Sequence, residues 1–204
     1  MSRLLSVLSS PRSDYSVSRH LVASFVKAFE ASHPGTTHVT RDLTLTHLPF
    51  VDLPWIAGAY TPAENHSHDM TRALAISNEL ISELEAADHI LIGTSMYNFS
   101  TPAILKAWID HICRIDRTFT ASYEGLLKGK KVTIILASGG VYTPGSHMAG
   151  YDAESAYLKQ VLGFIGLSDV NIVLAGGTSA IDMGKLSREE LIAELTPAVV
   201  AAAA

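Results

Sequence analysis

The chain has 204 residues, and 15 Lys and Arg stand against 20 Asp and Glu, which gives a formal net charge of −5. Hydrophobic residues make up 48% and charged residues 17%, so a buried core can form and intrinsic disorder is excluded. The length suits one domain spanning residues 1–204. The mild acidic balance argues against a nucleic-acid partner, which would need clustered Lys and Arg.

Short apolar runs alternate along the chain with longer segments of helical periodicity. Strands are predicted at residues 4–8, 37–43, 89–93, 132–137 and 170–174. The second of these strands is the most polar, which is typical of a sheet edge. Helices are predicted from the caps at 16–18 to Pro34, from Pro62 or Asp69 to Ala87, at 102–115, at 152–166, and after Ser187.

Strands that alternate with helices imply an α/β protein with a parallel sheet, right-handed crossovers and helices on both faces. Five such strands fit a flavodoxin-like three-layer sandwich of strand order 2-1-3-4-5. In sheets of this type, ligands bind beyond the carboxyl ends of the strands, at the switch point between strands one and three. We therefore expect the site in the loops after Leu8, Gly93 and Ala137.

Two segments leave their packing open. Residues 46–70 are punctuated by prolines and Gly58, which predicts a long loop. The helix at 102–115 is apolar on more than one stripe and includes Trp108, so it must be more buried than a surface helix. Either a second subunit or the chain's own residues 46–70 can cover it.

Cys113 is the one cysteine, so no intramolecular disulfide can form, which fits a reducing compartment. No apolar run reaches the ~18 residues of a membrane helix. The apolar stretch at residues 4–8 is too short for a signal peptide. We therefore predict a cytoplasmic protein without a membrane partner.

The loop after the first strand, residues 9–18, contains five serines and no glycine. It carries neither a dinucleotide G-x-G-x-x-G pattern nor a Walker-type loop. Serine hydroxyls, helix-start N–H groups and the positive end of the helix dipole can hold a phosphate dianion. The alternative is that these serines only cap the helix and form turns.

The other two loops are rich in aromatic residues and in glycine. Residues 96–99 read Met-Tyr-Asn-Phe, and their side chains can flank a flat heteroaromatic ring. The paired Gly139 and Gly140 let the backbone approach a ligand and donate N–H groups. Each loop alone has an ordinary structural explanation, but three such loops at one crevice favour a ligand site.

At these residues the sequence resembles the FMN-dependent NADH-azoreductases, flavodoxin-like enzymes related to the NAD(P)H-quinone reductases. Residues 9–18 look like the family's phosphate loop, and residues 96–99 are similar to its most specific motif. Residues 129–132 and 163–170 match as well. The resemblance spans nearly the whole chain and keeps the order of the elements.

The resemblance implies one non-covalently bound FMN per subunit, in a homodimer with the FMN at the subunit interface. NADH, or NADPH in some members, reduces the flavin and leaves, and a quinone or azo compound then takes two electrons in a ping-pong cycle. Because the hydride chemistry belongs to the flavin, we predict no catalytic acid or base and no metal site.

The family's functional positions fall on three groups of residues here. The phosphate would be held by Ser10, Ser16, Val17 and Ser18. The isoalloxazine would be lined by Met96, Tyr97, Asn98 and Phe99. Its pyrimidine edge would meet Ala137, Ser138, Gly139 and Gly140. Phe99 and Phe119 would form apolar walls for planar substrates.

Three departures from the family pattern bear on substrate preference. Ala137 and Ser138 stand where the family usually has Ser-Arg, so a hydroxyl and a charge are missing beside the ring. Ser95 stands where a proline commonly precedes the Met-Tyr-Asn-Phe motif. The segment at residues 119–125 is shorter than usual, and in the family this segment tends to cover the substrate pocket.

Two other function classes compete with this reading. A flavodoxin-like electron carrier would bind FMN without turning over a substrate of its own. A serine hydrolase could use Ser95, because residues 93–97 nearly match G-x-S-x-G, but the final glycine that the tight turn needs is absent. His66, His68 and Asp69 form only a weak metal pattern, since zinc sites need three or four spaced ligands.

Overall fold

The computed structural model describes residues 2–204. Five parallel strands form one sheet of order β2-β1-β3-β4-β5. The strands are β1 (Arg3–Leu8), β2 (Thr37–Asp42), β3 (His89–Ser95), β4 (Lys131–Ala137) and β5 (Asp169–Ala175). The predicted fold class and strand order are confirmed, and the polar strand β2 lies at an edge, as its composition indicates.

The helices occupy the crossovers between the strands and the end of the chain. They are α1 (Val17–Ser32), α2 (Leu53–Ala59), α3 (His68–Ala86), α4 (Ala103–Ile112), α5 (Ala153–Phe164), α6 (Ser179–Asp182) and α7 (Arg188–Ala201). Within residues 2–204, no helix combines the length and the apolar character that crossing a membrane requires.

Hydrophobic side chains cover both faces of the sheet, in two separate cores. Ile90 and Ile92 of β3 face a core with α3, α4 and α5 that includes Trp108. Leu91, between them, faces a second core with α1 and α7 that includes Phe25. Burying each such side chain contributes about 1.5–3 kcal/mol, and together they hold the central strands in a fixed register.

The prediction of a long loop over residues 46–70 is wrong at residues 53–59, which form α2. The Asp52 carboxylate accepts a hydrogen bond from the Trp55 N–H at 3.0 Å, which caps the helix. Pro54 lies in the first turn, where its missing N–H costs nothing. The next helix, α3, begins at His68 and is capped by Ser67, close to the later of its two predicted starts.

Residues of the 46–70 segment cover the carboxyl-terminal part of α4. The Trp55 indole N–H donates to His111 Nδ1 at 3.1 Å. His111 Nε2 lies 2.8 Å from the Pro49 carbonyl oxygen, so the buried imidazole is satisfied on both sides. The chain's own segment therefore provides this cover.

The helix α4 ends at Ile112, three residues before its predicted end. Beyond it, the Arg114 N–H donates to Thr118 Oγ1 and not to a carbonyl of the helix.

Candidate functional site

The carboxyl ends of β1, β3 and β4 are neighbours in the sheet, so the loops that follow them meet at one edge. The Ser9 N–H donates to the Gly93 carbonyl at 3.0 Å, and the Met96 N–H donates to the Ala137 carbonyl at 2.8 Å. These bonds extend the sheet beyond its strands and bring the three predicted loops together.

A cavity of about 190 Å³ lies between these loops. Its lining combines hydroxyl groups, small residues and one ion pair. It is formed by Ser10, Arg12, Ser16, Val17, Ser95, Met96, Tyr97, Ala137, Ser138, Gly139, Thr178 and Asp182. Most of the residues predicted from the sequence to hold a cofactor are therefore gathered around one space.

The serine-rich loop and the start of α1 form one side of this cavity. Ser16 caps the helix, because its Oγ accepts from the Arg19 N–H at 3.3 Å. The Ser18 hydroxyl is fully buried and lies 3.1 Å from Ser16 Oγ, so it supports Ser16 and does not line the cavity. The first N–H groups of α1, including that of Val17, have no acceptor within the helix and suit an anion.

Arg19 fixes the backbone of the same loop. Its guanidinium donates to the Ser10 carbonyl through Nε at 3.0 Å and Nη2 at 2.9 Å. It also forms an ion pair with Asp42 at 2.6 Å. Burial favours the neutral form of Asp42, but the hydrogen bonds from Arg19 and Thr44 outweigh it and lower the pKa of that carboxyl. An ion pair outside the cavity lining therefore fixes the position of this loop.

Ser95 has an unsatisfied hydroxyl in the cavity wall. Within residues 2–204, its Oγ is buried and has no hydrogen-bond partner. A buried polar atom without a partner is costly, and a ligand in the cavity can supply one. The same observation weakens the hydrolase alternative, because no base is in place to activate this hydroxyl as a nucleophile.

A second cavity of about 880 Å³ adjoins the first and shares Tyr97 with it. This volume lies within the ~300–1,000 Å³ range typical of small-molecule sites. The wall is mostly apolar. It is formed by Pro11, Thr44, Tyr97, Asn98, Ser100, Thr101, Pro102, Ala103, Ile104, Lys106 and Tyr157. Asn98, predicted beside the flavin ring, therefore faces the larger cavity.

The aromatic loop between the cavities has a strained backbone. Asn98 and Phe99 have φ angles of 51° and 71°, in the left-handed region that costs a non-glycine residue about 1–3 kcal/mol. Two hydrogen bonds between the Tyr97 and Ser100 backbones close the turn. The Phe99 ring packs on Tyr151 with centroids 5.6 Å apart and lines neither cavity. Strain of this kind often accompanies a ligand clamp.

The glycine loop after β4 has its carbonyl groups engaged. The Ser138 and Gly139 carbonyls accept from the N–H groups of Thr178 and Ser179. The Gly140 carbonyl accepts from Ser138 Oγ at 2.9 Å and from the Gly177 N–H. The Ser138 N–H donates to the Ala175 carbonyl, whereas within residues 2–204 the Gly139 N–H has no acceptor and can donate to a ligand from the cavity wall. Gly140 lies outside that wall.

Phe119, predicted as a substrate wall, lies elsewhere in this chain. Its ring packs against Phe164 with centroids 4.7 Å apart. Phe164 ends α5, and the nearby Leu127 N–H bonds the Ile165 carbonyl just before β5 begins. Phe119 is therefore at the amino-terminal edge of the sheet, opposite the two cavities.

Sequence reasoning did not single out Arg12 or Asp182, which both line the first cavity. Arg12 stands beside the serines of the phosphate loop, and that position is a signal for an anion. Asp182 lies on the short helix α6, which has no clear sequence pattern. Among residues 2–204, no group of three or more His, Cys, Asp and Glu could hold a metal ion.

The sheet order and a polar cavity at its switch point define a flavodoxin-like protein. A family model described as the flavodoxin-like fold matches residues 2–197. This covers nearly all of the chain, so the protein belongs to that family.

Relatives within the family have similar lengths. The FMN-dependent NADH:quinone oxidoreductase 2 of Jannaschia sp. (strain CCS1) is 46% identical over 203 residues, covering 100% of both chains. The FMN-dependent NADH:quinone oxidoreductase 8 of Burkholderia lata is 44% identical over 94% of this chain and 91% of its own. Among solved structures, an azoreductase from Bacillus anthracis is 26% identical, with a TM-score of 0.86 over 100% of this chain and 99% of its own. The resemblance read from the sequence is confirmed.

Proposed function

We propose that this protein is an FMN-dependent NAD(P)H oxidoreductase that transfers two electrons from NADH, through non-covalently bound FMN, to quinones and azo compounds. The observation that carries the proposal is the cavity at the switch point, where serine hydroxyls and the start of α1 adjoin an aromatic loop. Relatives named as FMN-dependent NADH:quinone oxidoreductases cover the full chain, which supports it. One domain, residues 1–204, would carry the site.

The donor set fits FMN. The Ser10 and Ser16 hydroxyls and the first N–H groups of α1 suit the phosphate. The buried Ser95 hydroxyl, which lacks a partner within residues 2–204, would gain one. When bound, FMN supplies the hydride and electron chemistry. The protein holds and orients the ring and excludes side reactions.

The loops would position the flavin ring from two sides. Met96 and Tyr97 would flank it, with Asn98 and Phe99 on the same strained turn. The N–H group of Gly139 would donate to its pyrimidine edge, beside Ala137 and Ser138, with Gly140 adjacent to them but outside the cavity wall. Donors fixed by the fold stabilise negative charge on a ligand without having to reorganise.

The larger cavity would receive the electron donor and the electron acceptor in turn. Tyr97, which lines this cavity, is 40% exposed, so planar molecules can stack on its ring. Because both partners need the same place against the ring, NADH would leave before the acceptor enters. This arrangement supports a ping-pong cycle.

We also propose a homodimer. Leu45, Phe50 and Leu53 are 85%, 84% and 77% exposed, and several large apolar side chains exposed within residues 45–53 are typical of an interaction surface. Phe119 lies at the edge of the sheet opposite the cavities, so it could line a substrate site only on a second copy.

The single cysteine supports a cytoplasmic, reducing location.

Anaerobic stopped-flow spectroscopy tests the proposed function. We expect the purified protein to take up FMN, to be reduced rapidly by NADH, and to be reoxidised by a quinone and by an azo dye. Slow reduction by NADH would favour the electron carrier. Failure to bind FMN would overturn both readings.

A further inference from the structure

An ion pair lies at the mouth of the cavity of about 190 Å³. Arg12 Nη2 lies 3.0 Å from Asp182 Oδ1. The pair joins the loop after β1 to α6, which follows β5, and both residues line the cavity. The side chains are 49% and 58% exposed, so the pair sits at the mouth and can rearrange.

The charges around this cavity are few. Among residues 2–204, Arg12 is the one cation and Asp182 the one carboxylate in its lining. The guanidinium of Arg19 is directed away, to Asp42 and to the Ser10 carbonyl. A phosphate dianion entering the cavity would therefore meet one cation that is already paired and one like charge.

We propose that the flavin phosphate and Asp182 compete for Arg12, so that Arg12 selects phosphorylated flavin and Asp182 limits its affinity. The inference rests on the proposed function and adds to it two residues that determine cofactor specificity. Guanidinium binds phosphate strongly because two N–H groups can donate to two phosphate oxygens. A half-exposed ion pair in contact with solvent is weak, so the phosphate can displace the carboxylate.

Asp182 has two opposing effects on Arg12. It holds the guanidinium near the cavity, which favours binding, and it repels the incoming dianion, which opposes binding. The first effect is small, because the pair is exposed and weak. The second is larger, because the phosphate carries about two charges and the carboxylate repels both of them. Removing the charge of Asp182 should therefore tighten FMN binding.

Fluorescence titration with FMN and with riboflavin tests the inference, because riboflavin has the same ring and no phosphate. We expect Arg12→Gln to weaken FMN binding about tenfold or more and to leave riboflavin binding nearly unchanged. We expect Asp182→Asn to tighten FMN binding about threefold or more, again with little change for riboflavin.

The exposed pair on α3 provides matched controls. Arg72 Nη2 lies 2.9 Å from Asp69 Oδ1, and the side chains are 71% and 65% exposed. Arg72→Gln and Asp69→Asn change the net charge by the same amounts, at residues that do not line the cavity, and should leave both flavin affinities unchanged. Thermal melting of every apoprotein checks that each variant is folded.

The outcomes separate this inference from the proposed function. Wild-type protein that binds neither flavin overturns both. Wild-type protein that binds FMN, with the same ratio of FMN to riboflavin affinity in either Arg12→Gln or Asp182→Asn, overturns this inference alone. Weaker FMN binding by Asp182→Asn also overturns it, because the carboxylate would then only position Arg12.

Discussion

Glu154 has no exposed surface and lies in the first turn of α5. Its Oε1 accepts from Thr94 Oγ1 at 3.0 Å, and within residues 2–204 its Oε2 has no partner. Burial raises the pKa of this carboxyl to about 8, against the lowering effect of the Thr94 hydrogen bond. Glu154 is therefore largely protonated at neutral pH, and it contacts Thr94, the residue before Ser95 at the end of β3.

This pKa predicts how stability depends on pH. Between pH 4.5 and about 8 the unfolded chain has released the Glu154 proton and the folded protein keeps it. The unfolded state binds fewer protons, so the free energy of unfolding falls as pH rises, by up to about 1.4 kcal/mol per unit. Glu154→Gln retains the acceptor for Thr94 and cannot ionise.

Urea unfolding from pH 5 to 8 measures the effect. We expect the Glu154→Gln protein to lose less stability than wild type as pH rises, and to be the more stable of the two at pH 8. Replacement of the exposed Glu64 by Gln is the control and should follow the wild type. Equal slopes for wild type and Glu154→Gln would contradict the prediction.

A second prediction for a single residue concerns Ser95, whose expected role depends on one atom, its Oγ. Ser95→Ala removes a buried hydroxyl without a partner in the described chain, so the apoprotein should melt at the same temperature or slightly higher. FMN binding should weaken about fivefold to tenfold, since one hydrogen bond is worth about 1 kcal/mol. Calorimetry and fluorescence titration measure the two effects, and unchanged FMN affinity would place the hydroxyl outside the cofactor site.

At the scale of elements, α2 depends on its cap. Asp52 bonds the Trp55 N–H, and Trp55 in turn bonds the buried His111. Asp52→Ala should lower the free energy of unfolding by about 1 kcal/mol. Asp52→Asn keeps a capping oxygen and should cost only a few tenths of that. Chemical denaturation compares the two, and equal losses would show that the cap does not set the stability of α2.

The helices and strands also show which structural features a local sequence pattern predicts. The β and α periodicities of β1, α1 and β3 are local patterns, and the sequence predicts them with nearly correct bounds. The prolines near α2 favour a loop when they are counted as punctuation, yet Pro54 falls in a capped first turn. Whether a proline starts or interrupts a helix depends on the capping residue before it, which here is Asp52.

At the scale of the whole molecule, the proposed homodimer makes a separate prediction. Phe50→Asp together with Leu53→Asp puts two charges on the exposed apolar segment and should convert the dimer to a monomer. Light scattering at a fixed protein concentration measures the change. Val200→Asp, at an exposed apolar position on α7, should remain dimeric. A wild-type protein that is already monomeric would contradict the proposal.

The alternation of buried strands and amphipathic helices was enough to determine the sheet and the edge at which its loops gather, because burial of apolar residues acts through periodicity along the chain. The sequence also identified most residues around the cavity, since they lie next to strand ends. Only the tertiary structure decided that Arg12 pairs with Asp182, 170 positions away, and that Phe119 lies at the opposite edge of the sheet. Such contacts depend on how whole elements pack in space, and no local pattern encodes them.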